Sequence, residues 1–475
     1  MFDKIKRIHL VGIGGAGMSG IAEVLLSLGY EVSGSDLKET EITRRLSSLG
    51  GDIHIGHKAE LVLDKDVVVI SSAITNGNVE VKRAKEEHIP VIPRAEMLAE
   101  LMRLRNGIAV TGAHGKTTTT SMIGAVLTNG GLDPTIVIGG RFKNIASHAK
   151  HGNGKFFVAE ADESDGSFLK LSPIIAVVTN IDAEHLDYYQ GGLAEIKENF
   201  VNFINKVPFY GCAILCLDDE HICSILDRIQ RPVITYGLHP EAEIRGFDFE
   251  FEGTLSRFTV ARSAEVLGQI EISLPGLHYI RDSLAAVTVG LELGLDFKTI
   301  KEGMSNYQGV DRRLQIKAEI GGVLLLDDYA HHPTEIKATL NSIKIAWPQR
   351  RRLVLFQPHR YTRSRCLAEE FGKAFEQADM VMVNDIYAAG ETPIPGVSGE
   401  MIAAKIKQGS PNSEVEFISD PEQMVTAALD RVKSNDILIT LGAGDIWMVG
   451  ERILEELRKA DCGMWMGKSG WPVAK

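Results

Sequence analysis

Thr111-Gly112-Ala113-His114-Gly115-Lys116-Thr117-Thr118 follows a short apolar strand, Ile108-Ala109-Val110, and leads into a helix expected to begin near Thr118. The stretch reads as a phosphate cradle. Gly112 and Gly115 let the backbone approach an anion, and the amides that open the helix point at it along a favourable dipole. Lys116 supplies a point charge for the terminal phosphates, and the Thr117 hydroxyl suits Mg2+. The full G-x-x-x-x-G-K-[ST] pattern is incomplete, because Val110 stands where its first glycine belongs. Strand, Gly-Lys-Thr and helix in this order still point to a loop for a nucleotide triphosphate, with Gly112, Ala113, His114, Gly115, Lys116, Thr117 and Thr118 as its ATP-binding residues.

A chain of 475 residues is too long for one core and suggests about three domains. With 44% apolar residues and a net charge of −12, the composition is that of a water-soluble globular protein and argues against nucleic-acid binding through bulk charge. Anionic small molecules must then be held by local groups. The five cysteines (Cys212, Cys216, Cys223, Cys366, Cys462) lack paired C-x-x-C spacing, and the start runs into a strand without a leader pattern, so a reducing cytoplasmic setting is expected. Cys212 and Cys216 lie in an apolar strand and read as core. No apolar run reaches membrane-spanning length.

The N-terminal stretch has its own glycine loop. Residues 7–11 read as a buried strand, followed by Gly12-Ile13-Gly14-Gly15-Ala16-Gly17 and a helix over 18–28. This is G-x-G-x-x-G in its required context; it fits NAD, another nucleotide diphosphate or a tight turn. A second strand over 31–35 ends at Asp36, where an acid would meet a ribose hydroxyl. Further strand and helix alternation makes residues 1–105 a Rossmann-like unit.

After the phosphate loop, strands over 155–160 and 174–179 each end in polar residues. Ligand crevices of open α/β sheets lie beyond the carboxyl ends of parallel strands. Glu160 and His185 arrive there beside Thr117, and the three are candidate Mg2+ ligands. Glu163 and Asp165, in the run Asp162-Glu163-Ser164-Asp165, are expected to be solvated. Alternating residues within 242–275 predict a small antiparallel excursion in an otherwise mainly parallel central sheet. Past Arg312-Arg313, βα alternation resumes and delivers Asp327-Asp328-Tyr329-Ala330-His331-His332 and Gln357-Pro358-His359-Arg360-Tyr361-Thr362-Arg363 to strand ends. Paired arginines at such a place suit a small carboxylate.

In order along the chain, GIGGAGMSG, SSAI, TGAHGKTTTT, EADESDGSF, TNIDAEHLD, GVDRRLQ, DDYAHHPTEI, QPHRYTR, DIYAAGETPI and LGAGDI together resemble the Mur ligase family, particularly members that add the first amino acid in peptidoglycan assembly. The resemblance implies an α/β enzyme of three domains: a UDP-sugar-binding Rossmann-like domain (1–105), a P-loop-like ATP-binding domain (106–313) and a C-terminal Rossmann-like domain (314–475) that closes over ATP. It implies ligation of L-alanine to the carboxylate of UDP-N-acetylmuramate through an acyl phosphate. ATP and Mg2+, replaceable by Mn2+, would be needed. Nucleic-acid and membrane partners are not expected, and the state would be a monomer or weak homodimer.

By motif position, Lys116, Glu160, His185, Asp328 and His331 would be catalytic, and Thr117, Glu160 and His185 would hold the metal. Gly12, Gly14, Gly15, Ala16, Gly17, Asp36, Ser71 and Ser72 would hold the UDP-sugar. Tyr329, His359, Arg360 and Arg363 would receive the amino acid. Tyr279 and Asp282 depart from the asparagines that family members often carry there. A tripeptide-recycling relative would show a first loop like GICGTFMG; an NAD oxidoreductase would leave the Lys116 loop without a task, and a non-catalytic nucleotide sensor would not need the full catalytic set.

Overall fold

Five strands, β1 (Arg7–Val11), β2 (Glu31–Asp36), β3 (Asp52–Ile55), β4 (Val67–Ile70) and β5 (Val91–Pro93), form an all-parallel sheet in the order β3-β2-β1-β4-β5. The computed structural model describes residues 4–71, 73–145, 147–186 and 188–461. Central β1 is apolar and buried from Ile8 to Val11, as a strand covered on both faces requires. The order reverses at β1, and the glycine loop follows it directly.

The second sheet holds β6 (Asn106–Thr111), β7 (Thr135–Phe142), β8 (Ser147–Lys150), β9 (Phe156–Glu160), β10 (Ile175–Val178), β11 (Cys212–Cys216), β12 (Val233–Gly237), β13 (Ile244–Glu252), β14 (Leu255–Arg262) and β15 (Glu265–Ile272). Their order is β15-β14-β13-β12-β11-β10-β6-β9-β7-β8. β6 lies parallel between β9 and β10, with Val110 opposite Glu160 and Thr111 opposite Val178. The phosphate loop therefore leaves the sheet between the two strands whose ends the sequence singled out. Two-residue connections join β13, β14 and β15, which builds the expected antiparallel excursion. Cys212 and Cys216 are buried in β11, and burial pushes both thiols up to about 12.

A third sheet contains β16 (Gln315–Ile320), β17 (Val323–Asp328), β18 (Arg351–Phe356), β19 (Met380–Val383), β20 (Glu414–Phe417) and β21 (Asp436–Leu441), ordered β16-β17-β21-β18-β19-β20. Only the β16–β17 pair is antiparallel among its described pairings. The chain forms two compact units: one runs to Glu250 and takes in Arg257–Ser273 and His278–Asp311, carrying the first sheet and most of the second; the other comprises Phe251–Ser256, Leu274–Leu277 and the chain from Arg312 onward, with the third sheet. Among the described residues, no helix is long and apolar enough to cross a membrane. The tail with Trp465 and Trp471 lies outside the described residues.

Beneath the first sheet lies a buried polar knot. The fully enclosed Glu80 carboxylate accepts from the Ser35 hydroxyl at 2.7 Å and the Lys58 N–H at 3.0 Å, and meets His9 Nε2 at 3.4 Å. His9 Nδ1 in turn meets Ser33 Oγ at 2.9 Å. Burial alone would raise the Glu80 carboxyl, but these partners outweigh it and hold it below the ordinary range. Removing one partner of a buried charged set costs about 3–5 kcal/mol. Glu80→Ala is therefore expected to speed amide exchange of β1 and β2 by about 100-fold or more at neutral pH. Because the folded carboxyl is depressed, its contribution is present above the unfolded value near ~4 and fades as pH falls through the folded one. Equal exchange in the variant and parent at pH 7 would show that the knot contributes nothing.

Candidate active site

The phosphate loop is stapled to the end of β10. Thr179 Oγ1 donates to the His114 carbonyl at 2.6 Å, Asn180 Nδ2 donates to the same oxygen at 3.0 Å, and His114 N–H donates to Asn180 Oδ1 at 2.8 Å. Gly112 takes φ 136° with Thr179 and Asn180 so close that a β-carbon would collide with them. Gly115 has φ 80°, and a β-carbon there would lie 2.7 Å from Asp282 Oδ1. Both glycines are required by conformation and by space. The helix Lys116–Asn129 begins two residues earlier than expected, directly after Gly115, with no side chain capping it. Its first amides are left for an anion.

Lys116 Nζ is folded back into this loop. It donates to the Gly112 carbonyl at 2.6 Å and the Ala113 carbonyl at 3.1 Å, and pairs with both oxygens of Glu163 at 2.9 and 3.0 Å. Burial opposes its charge, but Glu163 and Asp162 more than offset that and hold the ammonium well above the ordinary lysine range. Glu163, expected to be solvated, is 3% exposed. Its burial pushes the carboxyl up to about 7 despite the lysine. The reason is tertiary: the Tyr189 hydroxyl ties down the Glu163 carbonyl, turning the acidic run inward. Asp165 is exposed, as expected.

Single ligand atoms of Glu163, Glu184 and His185 lie within 4.8 Å of one another, with His185 Nε2 at 3.4 Å from Glu184. His185 adopts φ 55°, an uncommon backbone state for a non-glycine residue. Two carboxylates and an imidazole beside a phosphate loop form a donor set that fits a divalent cation sharing phosphate oxygens. Glu160 is not in this group: its carboxylate accepts the Gly139 N–H at 2.8 Å at the same sheet edge. Thr117 is buried next to Gly140 in the first helical turn. Thr118 and Thr119 follow inside, and Thr119 donates to Asp282 at 3.0 Å. Asp282 and Tyr279 are both buried.

In the first sheet, Gly12 and Ile13 amides bond to the Ser35 carbonyl. Asp36 Oδ2 accepts the Gly14 N–H at 2.8 Å, so the acid assigned to a ribose braces the glycine loop. Gly15 precedes an uncapped helix that opens at Ala16. A β-carbon on Gly12 would meet Ser71 Oγ at 2.9 Å, and one on Gly17 would collide with the Arg94 guanidinium. Ser72 lies outside the described residues. Arg94, assigned only to a helix from sequence, thus stands beside this loop and also meets Asp162 at 3.4 Å. A guanidinium against a glycine loop suits a diphosphate.

The third sheet gathers a separate set. Asp328 is enclosed, and its two oxygens accept the Leu314 and Ala330 amides at 2.6 and 2.8 Å. Burial pushes it up to about 6. That geometry shapes the loop carrying Tyr329 and His331. The Tyr329 ring lies under the guanidinium groups of Arg312 and Arg313, 5.2 and 5.3 Å from its centre. His331 approaches His359, which stacks on Tyr387, a residue given no role from sequence. Arg363 Nη1 reaches His359 Nδ1 at 3.4 Å, and Arg360 holds φ 69° where the strand end turns into a helix. Burial and the neighbouring His331 and arginines push His359 down to about 3, leaving a neutral ring for hydrogen bonding.

Sequence comparison accounts for all three sheets. Residues 7–106 match the Mur ligase family, catalytic domain; 110–290 match the Mur ligase middle domain; and 312–444 match the Mur ligase, glutamate ligase domain. The UDP-N-acetylmuramate--L-alanine ligase of Geobacter sulfurreducens is 54% identical over 97% of this chain and 99% of its own. The same-named protein of Geotalea daltonii is 55% identical over 97% and 100%. Among solved structures, the UDP-N-acetylmuramate-alanine ligase of Thermotoga maritima superimposes with a TM-score of 0.82 at 28% identity, covering 96% and 99%. A murein peptide ligase of Psychrobacter arcticus shares the fold, at 0.70 and 22%, covering 95% and 98%. The chain belongs to the Mur ligase family.

Proposed function

We propose that this chain is an ATP-dependent amide ligase that joins L-alanine to the carboxylate of UDP-N-acetylmuramate, giving UDP-N-acetylmuramoyl-L-alanine, ADP and phosphate in peptidoglycan biosynthesis. The observation that carries the ATP half is the phosphate loop, with Lys116 at the switch point between β9 and β10. Full-length identity of 54–55% to relatives bearing that name supports the two organic substrates.

The chemistry follows from the groups present. A carboxylate is a poor electrophile, so its oxygen attacks the γ-phosphorus, the bond to the β-phosphate oxygen breaks, and an acyl phosphate and ADP result. The deprotonated amine of L-alanine then forms the amide bond as phosphate leaves. Lys116 and the first helical amides stabilise charge on the phosphoryl group by position, without moving at the moment of transfer. Glu163, Glu184 and His185 would hold Mg2+, which would supply charge neutralisation of the phosphates. The metal roles read for Thr117 and Glu160 from the sequence belong to this reading too, with Glu160 outside that cluster on the Gly139 amide. Arg360 and Arg363 pair with the amino-acid carboxylate, while Tyr329 and neutral His359 shape its pocket. The glycine loop, Asp36, Ser71 and Arg94 form the UDP side. Domain assignments of 1–105, 106–313 and 314–475 for UDP-sugar, ATP and amino acid belong to this reading, as does action in the cytoplasm.

Phosphate release from ATP and Mg2+ is expected only with UDP-N-acetylmuramate and L-alanine together; release with a tripeptide in place of alanine would reassign the chain to the recycling ligases. Lys116→Ala is expected to lower turnover about 1000-fold or more through loss of a transition-state charge. Near-normal turnover of that variant would remove the lysine from the mechanism. For Arg363→Lys, the loss of a planar two-pronged donor should raise KM for L-alanine about 10-fold or more and leave KM for ATP nearly unchanged. Equal effects on both substrates would assign Arg363 elsewhere.

A further inference from the structure

Lys116 and Glu163 stand in a relation that the nucleotide must break. The ammonium that is to meet the terminal phosphates is paired with a buried carboxylate through both oxygens, at 2.9 and 3.0 Å. Glu163 shares its surroundings with Glu184 and His185, close enough for one ion to touch all three. It is one side chain with two alternative positive partners.

We propose that Glu163 is an internal stand-in for the terminal phosphates, and that it makes nucleotide binding depend on the divalent cation. The inference rests on the reading of the Lys116 loop as the ATP cradle. In the empty loop, Glu163 neutralises Lys116 and keeps it folded against the Gly112 and Ala113 carbonyls. Phosphate entry takes the lysine away and leaves Glu163 buried without its counter-ion and facing new negative charge, so that it must either stay charged and unpaired or take up a proton, and both cost free energy. A carboxylate so placed opposes binding strongly, because a buried charge stripped of its partner is costly. A cation arriving with the phosphates restores a partner on the side of Glu184 and His185. ATP without a divalent ion therefore meets resistance from Glu163, and ATP with one does not. The exchange needs no change of fold, since Lys116 sits in the first turn of a helix and only its side chain must swing.

This assigns to Glu163 a task distinct from that of Lys116. Lys116 acts on the phosphates, while Glu163 sets when the lysine is available. The arrangement also protects the loop: without Glu163 the buried Lys116 ammonium would keep two carbonyls and the charges of Asp162 and Glu184 but lose its directly paired carboxylate.

The test is calorimetric titration of the whole chain with the β,γ-imido analogue of ATP, once in EDTA and once in excess Mg2+, for the parent and Glu163→Gln. In EDTA the variant should bind about 10-fold more tightly than the parent, and the improvement that Mg2+ gives should shrink by about the same factor. A purely structural role for Glu163 would weaken both titrations together, and that result, or an unchanged Mg2+ dependence, overturns the proposal. If Glu163→Gln does not fold by circular dichroism, Glu163→Ala is titrated in its place under the same expectations. Failure of the parent to bind the analogue even with Mg2+ would overturn the ATP reading itself, an outcome distinct from binding that ignores the substitution.

Discussion

The middle sheet is built around one constraint: a lysine ammonium must be kept charged while enclosed away from water. Two backbone carbonyls and one carboxylate surround Lys116. Carbonyls can turn inward to it only if the loop curls tightly, which needs Gly112 and Gly115 in conformations that other residues resist. A loop so curled needs support, and Thr179 and Asn180 supply it from the neighbouring strand. The parallel register Thr111 opposite Val178 places those two residues against the loop. Strand pairing and charge stabilisation are thus parts of one arrangement.

The first and third sheets repeat the logic with other groups. Each presents polar side chains at the carboxyl ends of parallel strands, where chain direction changes and space opens. At β1 the elements that would suit an anion are a glycine loop, an uncapped helix start and Arg94. At β17 and β18, Asp327 and Asp328 serve as internal braces: Asp327 accepts Thr440 at 2.7 Å and pairs with Arg312. Arg312 in turn lies over Tyr329. Carboxylates that look catalytic in the sequence therefore include some whose oxygens are occupied in shaping a loop.

Elements governed by local rules were legible. Apolar strands ending in glycine, the helices after them and the antiparallel excursion follow from periodicity and turn residues. The glycine loops announced through spacing the strand–turn–helix geometry that the structure shows. Long-range pairing was not legible. Glu163 lies in a run of acids with no apolar period, and its burial depends on Lys116 and Tyr189, 47 and 26 positions away. Asp36 sits where a ribose-binding acid belongs, yet Gly14, 22 positions before it, takes one of its oxygens. Arg94 opens a helix whose apolar face explained its neighbours, so nothing local marked it as part of a site. The helix start at Lys116 was misread by two residues because no capping side chain signals it, and that absence is itself what an anion site needs.

The balance of charge around the cradle decides how the site can work. Asp162, Glu163 and Glu184 act on Lys116, Asp162 also meets Arg94, and Asp282 lies behind Gly115. Asp282 adds a carboxylate at the back of Gly115, and its bond to Thr119 would be equally available to a neutral amide. The extra charge is therefore not required for holding the helix. On a chain already at −12, such a pocket would, on the proposed reading of the loop, oppose the approach of free nucleotide. On that reading a cation entering with the phosphates would add to the pull of Lys116 and the helix amides, since the surrounding carboxylates would then face a cation instead of an anion. An excess of acid in a phosphate site is thus consistent with binding, provided that the metal and the nucleotide arrive as one ligand.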